Sequence, residues 1–402
     1  MSLAAEAEPV EQTLGSMVAQ DASALSRHLA ALRHRLFPPT AQKSLRSFTS
    51  GEAASLIGVT DAYLRQLELA GGMSWSTKTA TGHRAYTLGQ INAIRQHLAR
   101  SPKGRTYQPI RRNGDELQTI AITNFKGGSG KTTTAAHLAQ YLALRGYRVL
   151  AIDLDPQASL SALFGYQPEF DVGANSTLYG ALRYDGAARA LRDIARSTYF
   201  DGLDLVPGNL ELQEFEHETP RVLAQGHRSD SLFFSRVALA IASVQDSYDV
   251  VILDCPPQLG FLTLGALCAA TGVVVTVHPQ MLDIASMSQF LLMTSDLLDV
   301  VTRAGGRFQL DFLRYLVTRF EPQDGPQAQV VGFLRSLFGG RVLTNPMLKS
   351  TLVSDAGLTK HTLYEIARQG VGRATYSRAL EAVNNVNCEI EGLIRAAWGR
   401  AP

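Results

Sequence analysis

The chain of 402 residues is poor in cysteine, with only Cys255, Cys268 and Cys388, none at metal-ligand or paired spacing. That argues against a disulfide scaffold or a zinc ribbon and for reduced, partly buried thiols in a cytoplasmic protein. No uninterrupted apolar run reaches the roughly 18 residues that a membrane span needs. The first stretch, "MSLAAEAEPVEQ", is acidic and has no apolar h-region, so no secretory signal is expected. Neither sign of charge dominates: 38 Lys+Arg stand against 36 Asp+Glu, a net charge of +2. With 45% hydrophobic and 18% charged residues, the composition suits a globular protein with one large core and a smaller unit.

The near-neutral total hides an asymmetry. Residues 1–114 carry 14 Lys+Arg and 7 Asp+Glu, and the remainder carries 24 and 29. A basic first part on an acidic remainder suggests that the first part meets nucleic acid, although a solvated basic face has the same charge. Within residues 1–45, "ASALSRHLAALRHRLF" puts Leu25, Leu29, Leu32 and Leu36 on one helical face, ending at Pro38-Pro39. Such a helical arm buries its stripe either on its own domain or on a second copy.

Residues 46–108 read as a compact unit. "SGEAASLIGVTDAYLRQLELAGG" has two short helical patterns separated by Gly58-Val59, with Ser50 and Thr60 as N-caps and Gly71-Gly72 closing the second. "MSWSTKTATGHRAYTL" follows as a two-stranded ribbon turning near Thr81-Gly82, and "LGQINAIRQHLAR" as a third helix. Together they make a winged helix-turn-helix pattern, for which a generic helical hairpin is the plainer reading. Candidate DNA contacts are Arg65 and Gln66 on the second helix, and Lys78, His83 and Arg84 on the ribbon. Residues 109–117 read as a linker.

From residue 118 the texture changes. The runs "LQTIAIT", "YRVLAID", "YDVVILD" and "GVVVTVH" alternate with helical stretches, which predicts a doubly wound, mostly parallel α/β sheet over 118–402. The first run leads into "NFKGGSGKTTTAAHLA". A strand, a glycine-rich turn and a helix bring backbone N–H groups and a helix N-terminus to one point, which attracts phosphate. Gly127, Gly128, Ser129 and Gly130 form the cradle. Lys131 supplies charge to the β- and γ-phosphates, Thr132 a hydroxyl to Mg²⁺ and Thr133 a contact on the α-phosphate side. The strict phosphate-loop pattern requires glycine at 125, where this chain has Phe125, and a second lysine, Lys126, follows. Asp153 and Asp155 close another strand, the first suited to Mg²⁺ through water and the second to orienting an attacking water. Asp254 ends "YDVVILD" as a Walker B carboxylate. Pro256-Pro257 stiffen a loop that could sense the γ-phosphate.

"KGGSGKTTTAAHLA", "RVLAIDLDPQASLSALFG", "LDLVPGNLELQEFE" and "YDVVILDCPPQLGFLTLGAL" resemble the ParA-type partition ATPases, a deviant Walker A branch of the P-loop NTPases. The resemblance covers residues 118–400. The N-terminal extension is similar to that of the larger plasmid members, and "TLYGALRYD" fits the RepA branch of repABC-type operons. The resemblance implies that Lys126 reaches across an ATP-sandwich homodimer to the other subunit's phosphates and that Asp155 is the catalytic aspartate. It further implies ATP/ADP and Mg²⁺ as ligands, a ParB- or RepB-like centromere-binding partner that stimulates hydrolysis, operator and nonspecific DNA binding, repression of its own operon, and a cytoplasmic, nucleoid-associated protein without membrane attachment. Gly265 departs from the family, where asparagine is frequent. Arg319, Arg335, Arg341, Lys349, Arg373 and Arg378 are candidates for nonspecific DNA contact. Three rivals share the loop. A MinD-like division-site ATPase needs a basic amphipathic membrane anchor, for which "NCEIEGLIRAAWGRAP" is a poor match. A dethiobiotin-synthetase-like ligase leaves the basic N-terminal part unexplained. A repressor with a vestigial ATPase site is at odds with intact Lys126, Lys131, Asp155 and Asp254.

Overall fold

In the computed structural model, the described residues are 13–36, 43–70, 75–79, 82–101, 107–225, 232–306, 308–366 and 372–401. Strands and helices of at least eight residues are numbered in chain order. Residues 1–43 and 44–402 form two compact units. The first holds helix α1 (Leu14–Leu36), on which Leu14, Met17, Val18 and Leu25 are exposed. The side chains of Leu29, Leu32 and Leu36 lie outside the described residues.

The second unit begins with β1 (Phe48–Thr49), α2 (Ser50–Ile57), α3 (Asp61–Ala70), β2 (Thr77–Lys78), β3 (Arg84–Tyr86) and α4 (Leu88–Ala99). The α2 cap is Thr49 rather than Ser50: its hydroxyl accepts from the Glu52 N–H and the Glu52 carboxylate accepts from the Thr49 N–H, a reciprocal capping box. Gly58, in the left-handed region at φ 85°, ends the helix, and Thr60 caps α3 through the Tyr63 N–H. The expected ribbon has a third strand, because β1 pairs antiparallel with β3 on the side opposite β2. Gly71-Gly72 and Thr81 lie outside the described residues.

The central sheet follows the predicted α/β order. Its strands are β4 (Gln118–Thr123), β5 (Val149–Asp153), β6 (Arg196–Ser197), β7 (Leu203–Val206), β8 (Val250–Asp254), β9 (Gly272–Val277) and β10 (Phe312–Val317). Their order is β10-β9-β4-β8-β5-β7-β6, parallel throughout except for the antiparallel edge strand β6. Strands β4, β5, β8 and β9 are buried along their whole length, as continuous apolar runs require. The helices are α5 (Lys131–Arg145), α6 (Leu212–Ala224), α7 (Phe233–Ala242), α8 (Phe261–Ala269), α9 (Met281–Arg303), α10 (Gly325–Phe338), α11 (Thr351–Leu358) and α12 (Arg373–Ala397). On α12, Tyr376, Val383, Val386, Ile390 and Ile394 are buried and Leu380 is half-buried, so one face of the helix packs inward.

The apolar core runs without a break from Ile57, Ile91 and Ile94 to Leu138 and Leu142 of α5. At that junction Arg95 is almost fully buried. Its guanidinium donates to the carbonyls of Leu56 and Leu144, each at 2.6 Å, and to Asn92 Oδ1 at 2.6 Å. Leu56 and Leu144 sit in the last turns of α2 and α5, so two helix C-termini converge on one cation. The expected linker is strapped down. Arg111 donates to the Tyr248 carbonyl at 3.1 Å, and Arg400 donates to the carbonyls of Pro109 and Ile110 at 3.1 Å and pairs with Asp115.

Helix α9 differs from the sequence reading. Its polar residues interrupt every apolar run, yet among the described residues it is the one helix long and apolar enough on average to cross a membrane. The reason is that its apolar residues fall on both sides: Met287 and Phe290 are buried, while Met281, Leu282, Leu292 and Met293 are exposed opposite them.

Candidate functional site

Parallel strands leave their C-terminal ends on one side of the sheet, where doubly wound folds hold ligands. Three such ends meet here. Strand β4 delivers the glycine loop, β5 delivers Asp153, and β8 delivers Asp254. The β5–β8 register sets Asp153 directly beside Asp254.

The loop geometry explains its glycines where φ is positive, at Gly128 (73°) and at Gly130 (88°), which precedes the first turn of α5. Three hydroxyls hold the back of the cradle. Thr318 donates to the Ser129 carbonyl at 2.7 Å, and the Ser129 and Thr276 hydroxyls are 2.9 Å apart. Lys131 is buried, and its ammonium donates to the Lys126 carbonyl at 3.1 Å. Burial pulls its pKa below the usual lysine range, against the opposing charges of Asp254 and Asp155.

The carboxylates divide their work. Asp153 is fully buried, accepting from the Asp155 N–H at 3.2 Å, the Ser161 N–H at 2.8 Å and the Ser161 hydroxyl at 2.7 Å. Those bonds fix the turn that carries Asp155. Gly208, from the "VPGN" segment, presses against it: a Cβ there would lie 3.0 Å from the Asp153 carboxyl carbon. Asp155 is half-buried and accepts from the Gln157 N–H at 2.9 Å.

Asp254 is fully buried, and neither of its oxygens has a hydrogen-bond partner. Burial, followed by the nearby Asp153 charge, raises its pKa well above the usual carboxylate range. Thr132 and Lys131 oppose that rise from close by, the Thr132 contact falling outside good hydrogen-bond geometry. A buried carboxylate without a donor beside a threonine hydroxyl fits a cation. Among the described residues no cluster of three or more His, Cys, Asp or Glu side chains could hold a metal alone. That suits Mg²⁺, which keeps waters and phosphate oxygens in its shell.

The loop after β8 is also anchored. The Glu216 carboxylate accepts from the Phe261 and Leu262 N–H groups, at 2.8 and 2.9 Å, at the start of α8. Gly265 has a packing reason: a Cβ there would lie 2.9 Å from Val237 Cγ2, so α8 meets α7 at this position.

Family-model comparison matches residues 117–303 to a family described as an AAA domain. Replication protein A of Rhizobium rhizogenes is 56% identical over 396 residues, 98% of each chain. The chromosome-partitioning ATPase Soj of Thermus thermophilus is 32% identical over 268 residues, 67% of this chain and 96% of that one. The chain belongs to the ParA-type partition ATPases. Among solved structures, this ParA-type chain resembles cobyrinic acid a,c-diamide synthase of Mycobacterium smegmatis bound to an ATP analogue and magnesium. The TM-score is 0.50 at 28% identity, covering 61% of this chain and 91% of that one.

Outside the loop, the ParA-type chain scatters its basic candidates. Gln66, Lys78 and His83 are exposed. Arg65 pairs with Asp61, Arg84 with Glu68 at 3.1 Å and Lys349 with Glu321 at 2.8 Å. Arg335 donates to the Thr344 carbonyl at 2.9 Å, Arg341 lies over the Phe338 ring, and Arg378 is exposed. The Arg373 side chain lies outside the described residues. Arg319 is drawn to the phosphate loop, donating to the Gly128 carbonyl at 3.3 Å from a left-handed backbone at φ 53°. Sequence reasoning missed Thr276, Thr318, Glu216 and Asp283. Thr276 lies in "GVVVTVH" at the end of a recognised strand, a position that could have flagged it.

Proposed function

We propose that this protein is a plasmid partition ATPase switched by nucleotide state. It binds ATP with Mg²⁺ on residues 126–133, dimerises around the nucleotide and grips DNA in that state. Hydrolysis, stimulated by a ParB- or RepB-like partner, releases it. Residues 46–108 act as a winged helix-turn-helix that binds the operator of its own operon, reading bases with Arg65 or Gln66. The observation that carries the reading is the side-chain arrangement at the cradle: Lys131 on a loop carbonyl, beside an unpartnered, fully buried Asp254.

The chemistry follows from what each group can do. The loop N–H groups and Lys131 bind and orient the phosphates. Thr132 and Asp254 would hold Mg²⁺, which supplies Lewis-acid stabilisation of phosphoryl charge when bound. Asp155, on the turn fixed by Asp153 and Ser161, orients or deprotonates the attacking water. Lys126 adds positive charge only when two subunits meet, which links ATP state to assembly.

DNA binding measured with ATP, ADP and no nucleotide, on operator and random sequence at two salt concentrations, tests this reading. Nonspecific binding is expected with ATP alone and should weaken steeply with salt, and Lys131→Ala should abolish it. Equal nonspecific binding in all three nucleotide states would overturn it.

A further inference from the structure

The residue that sets this family apart, Lys126, has a partner within its own subunit. Its ammonium pairs with the carboxylate of Asp283, in the first turn of α9. The two partners are unlike. The Lys126 side chain is 46% exposed and that of Asp283 only 5%. Asp283 is further held by His278, whose Nδ1 lies 3.0 Å from the other carboxylate oxygen. Phe125, one residue before Lys126, stacks on Phe290 of the same helix with ring centroids 6.5 Å apart. Two adjacent loop residues therefore lean on α9 by two kinds of contact. A third tie runs backwards, because the Lys131 ammonium takes the Lys126 carbonyl.

These ties form a sequence. A phosphate in the cradle competes for Lys131 and removes its bond to the Lys126 carbonyl. The Lys126 ammonium then remains with Asp283. To reach phosphates on a second copy of the chain it must leave a carboxylate that is nearly buried and would keep only His278. We propose that Asp283 is a latch that holds Lys126 within its own subunit and so sets the ATP concentration at which two copies assemble. Asp283 touches no nucleotide in this scheme; it acts through Lys126 as a positioning residue. The inference rests on the ATP-dependent dimer proposed above and assigns it a threshold.

The test is sedimentation of the full chain, titrated with Mg²⁺ and a non-hydrolysable ATP analogue. Asp283→Asn keeps the shape and removes the charge, and Asp283→Ser guards against a rearrangement special to the amide. Loss of one such ion pair should lower the analogue concentration for half-maximal dimer roughly fivefold. The shift must vanish in the Lys126→Ala background, since a latch with nothing to hold has no effect. An unchanged or raised threshold overturns the proposal, as does a shift that persists without Lys126. If the unmodified chain forms no dimer with the analogue, the proposed function fails instead. The latch is then judged by a double-mutant cycle of Lys126→Ala and Asp283→Asn on nucleotide-free unfolding. Measurable coupling supports the pair, and zero coupling overturns it.

Discussion

Arg95 poses a problem with two opposing answers. It is 2% exposed and lacks an ion-pair partner among the described residues. Burial, together with the charge of Arg145, pulls its pKa below the usual arginine range, to about 10. That depression amounts to about 3 kcal/mol against the charged form. In return the guanidinium makes three short bonds, to the Leu56 and Leu144 carbonyls and to Asn92. At about 2 kcal/mol for each charge-assisted bond, they contribute about 6 kcal/mol. Arg95→Met keeps most of the stem and removes both terms, for a net loss of about 3 kcal/mol. On a unit of this size that lowers Tm by about 4 °C. The assay is thermal unfolding of the nucleotide-free chain at neutral pH, followed by circular dichroism. Buried charges replaced by well-packed apolar groups sometimes stabilise a protein. An Arg95→Met variant as stable as the parent, or more so, would therefore refute the reasoning and show that the convergence of two helix ends does not offset the desolvation.

Three further outcomes are expected. Asp155→Ala should slow ATP turnover by about two orders of magnitude while the ATP-bound dimer persists, as phosphate release and analytical ultracentrifugation would report. Asp254→Asn should remove the Mg²⁺ dependence of nucleotide binding without lowering nucleotide-free Tm, because the carboxylate it replaces has no donor to lose. His137 is fully buried, and burial lowers its pKa against the opposing Thr133 carbonyl. The unfolded chain then gains a proton below about pH 6.5 that the native state refuses. Stability present above that pH falls as the pH drops, by at most about 1.4 kcal/mol per unit, and His137→Gln should flatten that slope in urea titrations.

What could be read from sequence was whatever is local. The glycine loop, its two lysines and the strand-ending aspartates are short patterns whose chemistry depends on near neighbours. The parallel sheet was legible because buried strands must be continuously apolar. The partners were not legible, because they are distant in the chain: Asp283 lies 157 residues from Lys126, and Leu144 lies 49 from Arg95. The burial of Arg95 was not legible either, since composition records a charge and not its burial. Strand β1 escaped notice because two residues carry no periodicity, and α9 because polar residues interrupt its apolar runs.

The strap before β4 bears on the order of synthesis. Pro109 and Ile110 are held by Arg400, 291 and 290 residues later, and the Glu116 carbonyl accepts from the Trp398 indole N–H at 2.8 Å. At ordinary elongation rates that gap is roughly 15 to 60 s. For more than half of it the central strand β4 also waits for β8 and β9, both made downstream. A ribosome-bound chain thus carries its phosphate loop on an unsealed strand, and the seam closes only once Trp398 and Arg400 have emerged.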